Sequence, residues 1–190
     1  MFHAAGLAWH NKGLMLPGKI GAGKSTLSAW LSTQGFDYLT DELVFIAAGS
    51  DVMQPFPRPL NLKRPARPVL QGWLDFSDRD QLDPAGGAHI LTSPQIDLAP
   101  PTLLYPANTI SQPALKAIIF PHYRPAAEFE MQPLSKAQAG LELMQCLVNA
   151  RNLPEHGFPE IARLARRLPA YHLRYSSFAQ IGAQIEKLMA

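Results

Sequence analysis

The chain has 190 residues, of which 47% are hydrophobic and 17% charged, and a formal net charge of +2. That much apolar material excludes a disordered chain, and the length predicts one domain with a core large enough to fold without disulfides. The single cysteine, Cys146, excludes an intramolecular disulfide and argues against a cysteine-based zinc site. No apolar run reaches the roughly 18 residues of a membrane span, and Met1–Ala5 lacks the pattern of a signal peptide. A cytoplasmic protein with no membrane partner is expected.

Residues 2–9 read as a strand, Asn11-Lys12-Gly13 as the turn after it, and Leu14-Met15-Leu16 as the returning strand. A glycine-rich segment, 18–25, leads into a helix over 24–34 that places Leu27, Trp30 and Leu31 on one face and stops at Gly35. Residues 36–46 are strand-like but broken by Asp41-Glu42, and Gly49-Ser50-Asp51 is a turn. Residues 55–113 then carry eleven of the 18 prolines. Proline lacks a backbone donor, so this stretch predicts loops, edge strands and short turns. Its length predicts a lid, with Gly86-Gly87 as its flexible point.

Leu115–Phe120 is an apolar strand expected to stop at Pro121, with 129–134 as its pairing partner. Ser135 caps a predicted helix over 136–151 with Leu141, Met144, Leu147 and Val148 on one face. A second helix, 158–168, buries Ile161, Leu164 and Leu168. Tyr171–Tyr175 is a strand. A last helix, capped by Ser176 or Ser177, aligns Phe178, Ile181, Ile185 and Leu188. Strands alternating with helices predict a layered α/β fold in one domain, 1–190.

Gly18-Lys19-Ile20-Gly21-Ala22-Gly23-Lys24-Ser25 matches G-x-x-x-x-G-K-[ST] in full, with an apolar strand before it and a helix after it. Glycines let the backbone curl until several N–H groups point at phosphate oxygens, and the helix N-terminus adds its positive end. Lys24 reaches the β- and γ-phosphates, and the Ser25 hydroxyl can ligate magnesium. Nucleotide binding is therefore expected.

Asp41-Glu42, 17 residues beyond Lys24, are the best metal and base candidates. A carboxylate near the γ-phosphate can hold magnesium or accept a proton from an attacking hydroxyl. The bland alternative is a pair of strand-end acids in solvent. His3 alone reads as a structural histidine, and the other five histidines show no ligand spacing. The basic groupings Arg58, Lys63, Arg64, Arg67 and Arg163, Arg166, Arg167 read as solvated faces, so no nucleic-acid partner is expected.

Taken together, Phe2-His3-Ala4-Ala5-Gly6, Leu16-Pro17 with the loop through Leu27, and Gly35 through Glu42 resemble the kinase domain of the HPr kinase/phosphorylase family, in particular the HPr-kinase-related proteins of bacterial gene clusters. Pro55–Lys63 and the end of the chain, Ile119-Phe120-Pro121 through Tyr175, resemble it too. The resemblance implies a P-loop on a mixed sheet, as in phosphoenolpyruvate carboxykinases, with flanking helices. It also implies ATP and magnesium, and phosphate transfer to a hydroxyl, in the namesake a serine of a small carrier protein. A protein or peptide acceptor is therefore expected. A small-molecule kinase on the same scaffold is the alternative, and a non-catalytic nucleotide-binding module the third possibility.

By resemblance Lys24 and Ser25 hold phosphate and magnesium, with Thr26 continuing the loop. Asp41 is the general base, Glu42 the second acid that assists the metal, and His3 the histidine beside them. Arg58 and Lys63 are added here as phosphate-binding cations. Homo-oligomers are implied by the family alone. The chain has no counterpart of the family's Glu-x-Arg-Gly-Leu-Gly segment, which argues against phosphorylase activity and against HPr as the acceptor. The family's N-terminal domain has no counterpart either, and residues 64–114 fall outside the resemblance.

Overall fold

The computed structural model describes residues 1–77, 88–104 and 112–190. Gly86-Gly87, Pro84 and Pro106 lie outside them. β1 (Phe2–Trp9) turns back into β2 (Lys12–Pro17) with Trp9 opposite Lys12. The connection is therefore His10-Asn11, one step earlier than the expected Asn11-Lys12-Gly13. Both residues are left-handed, at φ 47 and φ 61, as a two-residue hairpin with right-handed strand twist demands. Gly13 lies in the strand instead, where an added Cβ would meet Met53 Sδ at 2.6 Å.

The loop 18–23 follows, then α1 (Lys24–Thr33) and, after a left-handed Gly35, β3 (Asp37–Thr40) and β4 (Leu43–Ile46). A short β5 (Met53–Gln54) closes this half. The proline-rich stretch supplies β6 (Leu60–Lys63), a one-turn α2 (Arg67–Leu70), β7 (Ile96–Ala99) and a one-turn α3 (Pro101–Leu104). Then come β8 (Ala114–Tyr123), β9 (Glu130–Pro133), α4 (Lys136–Cys146), α5 (Phe158–Arg167), β10 (Ala170–Tyr175) and α6 (Gly182–Met189).

The main sheet is mixed and runs β5-β4-β1-β2-β8-β10-β9, with β3 sharing the edge of β1 with β4. β8 is parallel to both β2 and β10, and the other pairs are antiparallel. Period-two alternation sends side chains to both faces. Ala5, Leu7, Leu14 and Leu16 meet Leu27, Trp30 and Leu31 of α1 and Ile185 of α6. Phe2, Ala4, Met15 and Ile118 meet Leu143 of α4 and Ile161 and Leu164 of α5. The sheet is thus the middle of three layers, an α/β fold as the alternation of elements predicts.

Four expectations are corrected. β8 does not stop at Pro121. It continues to Tyr123, because β2 leaves the ladder at Ile118 and only β10 accompanies β8 beyond it, so the missing proline donor falls on a free edge. β9 pairs with β10, not with β8. α4 ends at Cys146 rather than 151, since Leu147 turns extended and bridges back to Phe2. Its buried face is Ala139, Leu143 and Cys146, while Leu141 and Val148 are exposed. Two of the basic residues read as solvated are tied down: Arg67 holds the fully buried Asp97 with two bonds of 2.8 Å, and Arg163 joins Asp51 to Glu160.

Residues 55–113 do form short strands and turns, but their described parts do not stand off as a lid. Leu60, Leu62, Leu70, Ile90 and Ala99 are buried in the same core as α1. β6 and β7 make a separate two-stranded sheet.

Candidate functional site

The site is built at one end of β1. Ala4 lies opposite Pro17, the last residue before the loop, and on its other edge its N–H donates to the Glu42 carbonyl at 3.2 Å. There β3 has left the edge of β1, which it pairs from Gly6 to Ala8, and β4 has not yet taken it up at Phe2 and His3. Asp41 and Glu42 occupy that gap. One strand end therefore fixes the loop on one side, the acidic pair on the other, and His3 beside them.

Within the loop, Gly21 and Gly23 are left-handed at φ 87 and φ 95. Gly23 has a second reason to be glycine: an added Cβ would stand 3.0 Å from Tyr123 Cβ and 3.2 Å from the Tyr175 hydroxyl. The Tyr123 N–H donates to the Ala22 carbonyl at 3.2 Å, so the ends of β8 and β10 brace the loop from outside. Lys24 is only 7% exposed. Its ammonium donates to the carbonyls of Gly18 at 2.7 Å and Lys19 at 3.3 Å. Burial lowers its pKa, and Lys63 pushes it the same way against Asp41.

Ser25 Oγ donates to Asp41 Oδ2 at 2.7 Å. Asp41 Oδ1 is buried with no hydrogen-bond partner among the described residues. Burial drives the Asp41 pKa up to about 7, although Ser25 and Lys24 oppose it. Burial also lowers the pKa of His3, aided by Lys24 and countered by Glu42. An unpartnered carboxylate oxygen, a serine hydroxyl and a buried ammonium around a curled, glycine-bearing loop fit a phosphate with a divalent cation. Oxygen ligands from serine and aspartate are the donors magnesium takes.

Around these groups lies a cavity of about 640 Å³. It brings together His3, Ile20, Gly21, Gly23, Lys24, Ser25, Thr26, Asp41, Glu42, Arg58 and Lys63 from the sequence-derived set. The Arg58 carbonyl accepts from the Tyr38 hydroxyl at 3.0 Å, and the Arg58 guanidinium pairs with Glu42 at 2.6 Å. Both side chains are more than half exposed, 54% and 55%, so this pair contributes little stability. Glu42 thus points its carboxylate at Arg58.

Gly18, Lys19 and Ala22 line a second cleft, of about 620 Å³, on the other side of the loop. Ile20, 81% exposed, and Gly21 border both. The second cleft carries the pairs His172–Glu142 and Arg174–Glu130, at 3.3 and 2.8 Å. Beyond the loop, sequence reasoning did not nominate Glu130, Arg174 or the α4 residue Glu142 in this cleft, nor Tyr123, Ile96 and Leu98 on the first cavity. Strand alternation marks faces but not neighbours. Tyr175 is buried, and its hydroxyl lacks a partner among the described residues.

No family model matches the chain, and no curated protein matches it. Among solved structures, the HPr(Ser) kinase/phosphatase from Coxiella burnetii is similar over 98% of this chain and 91% of that one, at 12% identity and a TM-score of 0.42. That protein bears the name of the family that the loop motifs resemble.

Proposed function

We propose that the chain is an ATP-dependent phosphotransferase that passes the γ-phosphoryl group to a hydroxyl, that of a serine on a protein or peptide. The observation that carries this is the 2.7 Å bond between Ser25 of the loop and Asp41, whose second oxygen is buried and unpartnered. It unites a phosphate cradle with a carboxylate that can act on an attacking oxygen.

In the transfer, the acceptor oxygen bonds to the γ-phosphorus as the bond to the β–γ bridging oxygen breaks, and ADP leaves with that electron pair. Loop N–H groups and Lys24 bind and neutralise the phosphates. Asp41 takes the acceptor proton, and neutral His3 beside it orients the hydroxyl. Ser25 and Asp41 would hold magnesium, which when bound neutralises charge on the phosphate oxygens. Lys63 supplies a further cation from β6. In-line displacement puts acceptor and leaving group on opposite sides of the phosphorus. Asp41 marks the acceptor side, so the nucleoside belongs to the second cleft, toward His172 and Glu142.

The test uses ATP labelled at the γ-phosphate, magnesium and a cell extract, with wild type beside Lys24→Ala. A labelled protein band that disappears with the variant is the expected result. Label in a small molecule would convert the acceptor class to a metabolite. No Lys24-dependent transfer would remove the enzymatic proposal. Asp41→Asn should retain ATP affinity and lose transfer; loss of ATP affinity would make Asp41 a metal ligand first.

A further inference from the structure

One wall of the first cavity is the β6–β7 sheet, whose second strand comes from the part of the chain outside the motif resemblance. Its alternation is clean: Leu60, Leu62, Asp97 and Ala99 are buried behind it, and Asn61, Lys63, Ile96 and Leu98 face the cavity. The register sets Asn61 beside Leu98 and Lys63 beside Ile96. One strand of the wall is therefore polar and the other apolar. Lys63 is close enough to Lys24 to help lower its pKa, which puts the polar strand on the phosphate side.

The apolar strand is the unexplained part. Ile96 and Leu98 are 41% and 37% exposed, and across the opening Tyr123 is 36% exposed. Val69 and Phe178 continue the same lining inward. Large apolar side chains around a concave opening mark a place where another apolar surface sits. The wall is also rigid, because Asp97 on its back is held by Arg67 and by the Ser93 N–H. None of the apolar residues on this wall can complement a charge, whereas the cations Lys24 and Lys63 lie at the phosphate end.

We propose that the acceptor hydroxyl belongs to a serine or threonine in a polypeptide segment with aliphatic or aromatic neighbours, and that Ile96 and Leu98 select that segment. This rests on the phosphotransferase function proposed above. The occupant is a polypeptide rather than an enclosed small alcohol because the apolar residues ring the mouth and stay over one-third exposed. A chain running past the rim covers them; a molecule confined to the interior does not.

The experiment presents the full chain, with magnesium and γ-labelled ATP, with serine-centred peptide mixtures in which one flanking position at a time is fixed. Fixing Ile, Leu, Val or Phe should raise labelling about fivefold or more over Asp, Lys or Gly. Leu98→Lys and Ile96→Lys should each lower kcat/KM for the best peptide about tenfold and leave the KM for ATP within about twofold. The same variants should weaken binding of that peptide, fluorescently labelled, in the presence of a non-hydrolysable ATP analogue. Uniform labelling, a preference for charged flanks, or variants that behave as wild type overturn the proposal. So does peptide silence while Lys24-dependent label enters a small molecule or another species of the extract, an outcome that leaves the phosphotransferase itself standing. Transfer indifferent to Lys24→Ala, or absent altogether, brings down the phosphotransferase as well and is read separately.

Discussion

Asp41 holds its site together at a cost to the fold. Its pKa is raised from 3.8 to about 7 by burial. Between those two values the folded chain keeps a proton that the unfolded chain has released. Stability therefore falls as pH rises through that window, and the full cost stands above it. Asp41→Asn removes the charge and keeps an acceptor for Ser25. In metal-free and nucleotide-free buffer it should stabilise the protein at pH 8 by on the order of 2 kcal/mol and do almost nothing at pH 4, read by thermal unfolding at both pH values. Equal effects at the two pH values would mean that the carboxylate is not strained by burial. The same substitution abolishes transfer in the proposed mechanism, so stability and activity move in opposite directions, as at sites that trade one for the other.

At the scale of the element, the loop is the sharpest case of sequence and structure agreeing. Gly21 and Gly23 are both left-handed, but an added Cβ at Gly21 meets nothing within 4 Å, whereas at Gly23 it meets Tyr123 and Tyr175. Gly21→Ala should therefore cost only its backbone strain, about 1 kcal/mol. Gly23→Ala should cost about 2–3 kcal/mol and most of the nucleotide affinity, because the loop or both tyrosines must shift. Denaturant unfolding and nucleotide titration of the pair check this; equal losses would show that the tyrosines do not brace the loop. The motif at 18–25, α1 and the break at Asp41 were legible because local chemistry dictates them. The wall of Ile96 and Leu98 was not, because its meaning comes from strand pairing between residues 60 and 99. The face of α4 was misread for a related reason. Apolar spacing nominated Leu141 and Val148, but the bridge from Leu147 to Phe2 ends the helix and decides which side meets the sheet.

For the whole molecule, the described parts of residues 55–113 share the core of α1 and are not an appendage to it. Leu62, fully buried on the back of β6, reports on this. Leu62→Ala should lower stability by about 2–4 kcal/mol, and unfolding should remain one transition by circular dichroism and by tryptophan fluorescence. An early separate transition would make the segment an independent unit. No helix of the described residues is long and apolar enough to cross a membrane. The two helical layers also divide the labour. α1 and α6 back the face that carries the loop's helix, and α4 and α5 back the other, with Cys146 buried at the end of α4.

The hairpin at His10-Asn11 lies at the far end of β1 and β2 from every group proposed to touch phosphate. It nonetheless sets a dimension of the proposed site. Ala4 meets Pro17 only because Trp9 meets Lys12, five steps along the same ladder. β1 also carries the edge from which Asp41 hangs. Each residue of slip between the two strands would slide the phosphate cradle by about 3.3 Å relative to the carboxylate and invert every side chain along the way. The spacing between the glycine-bearing loop and the Asp41 carboxylate is thus a length measured out by a turn, and the turn's two left-handed residues act as the calibration mark of the instrument.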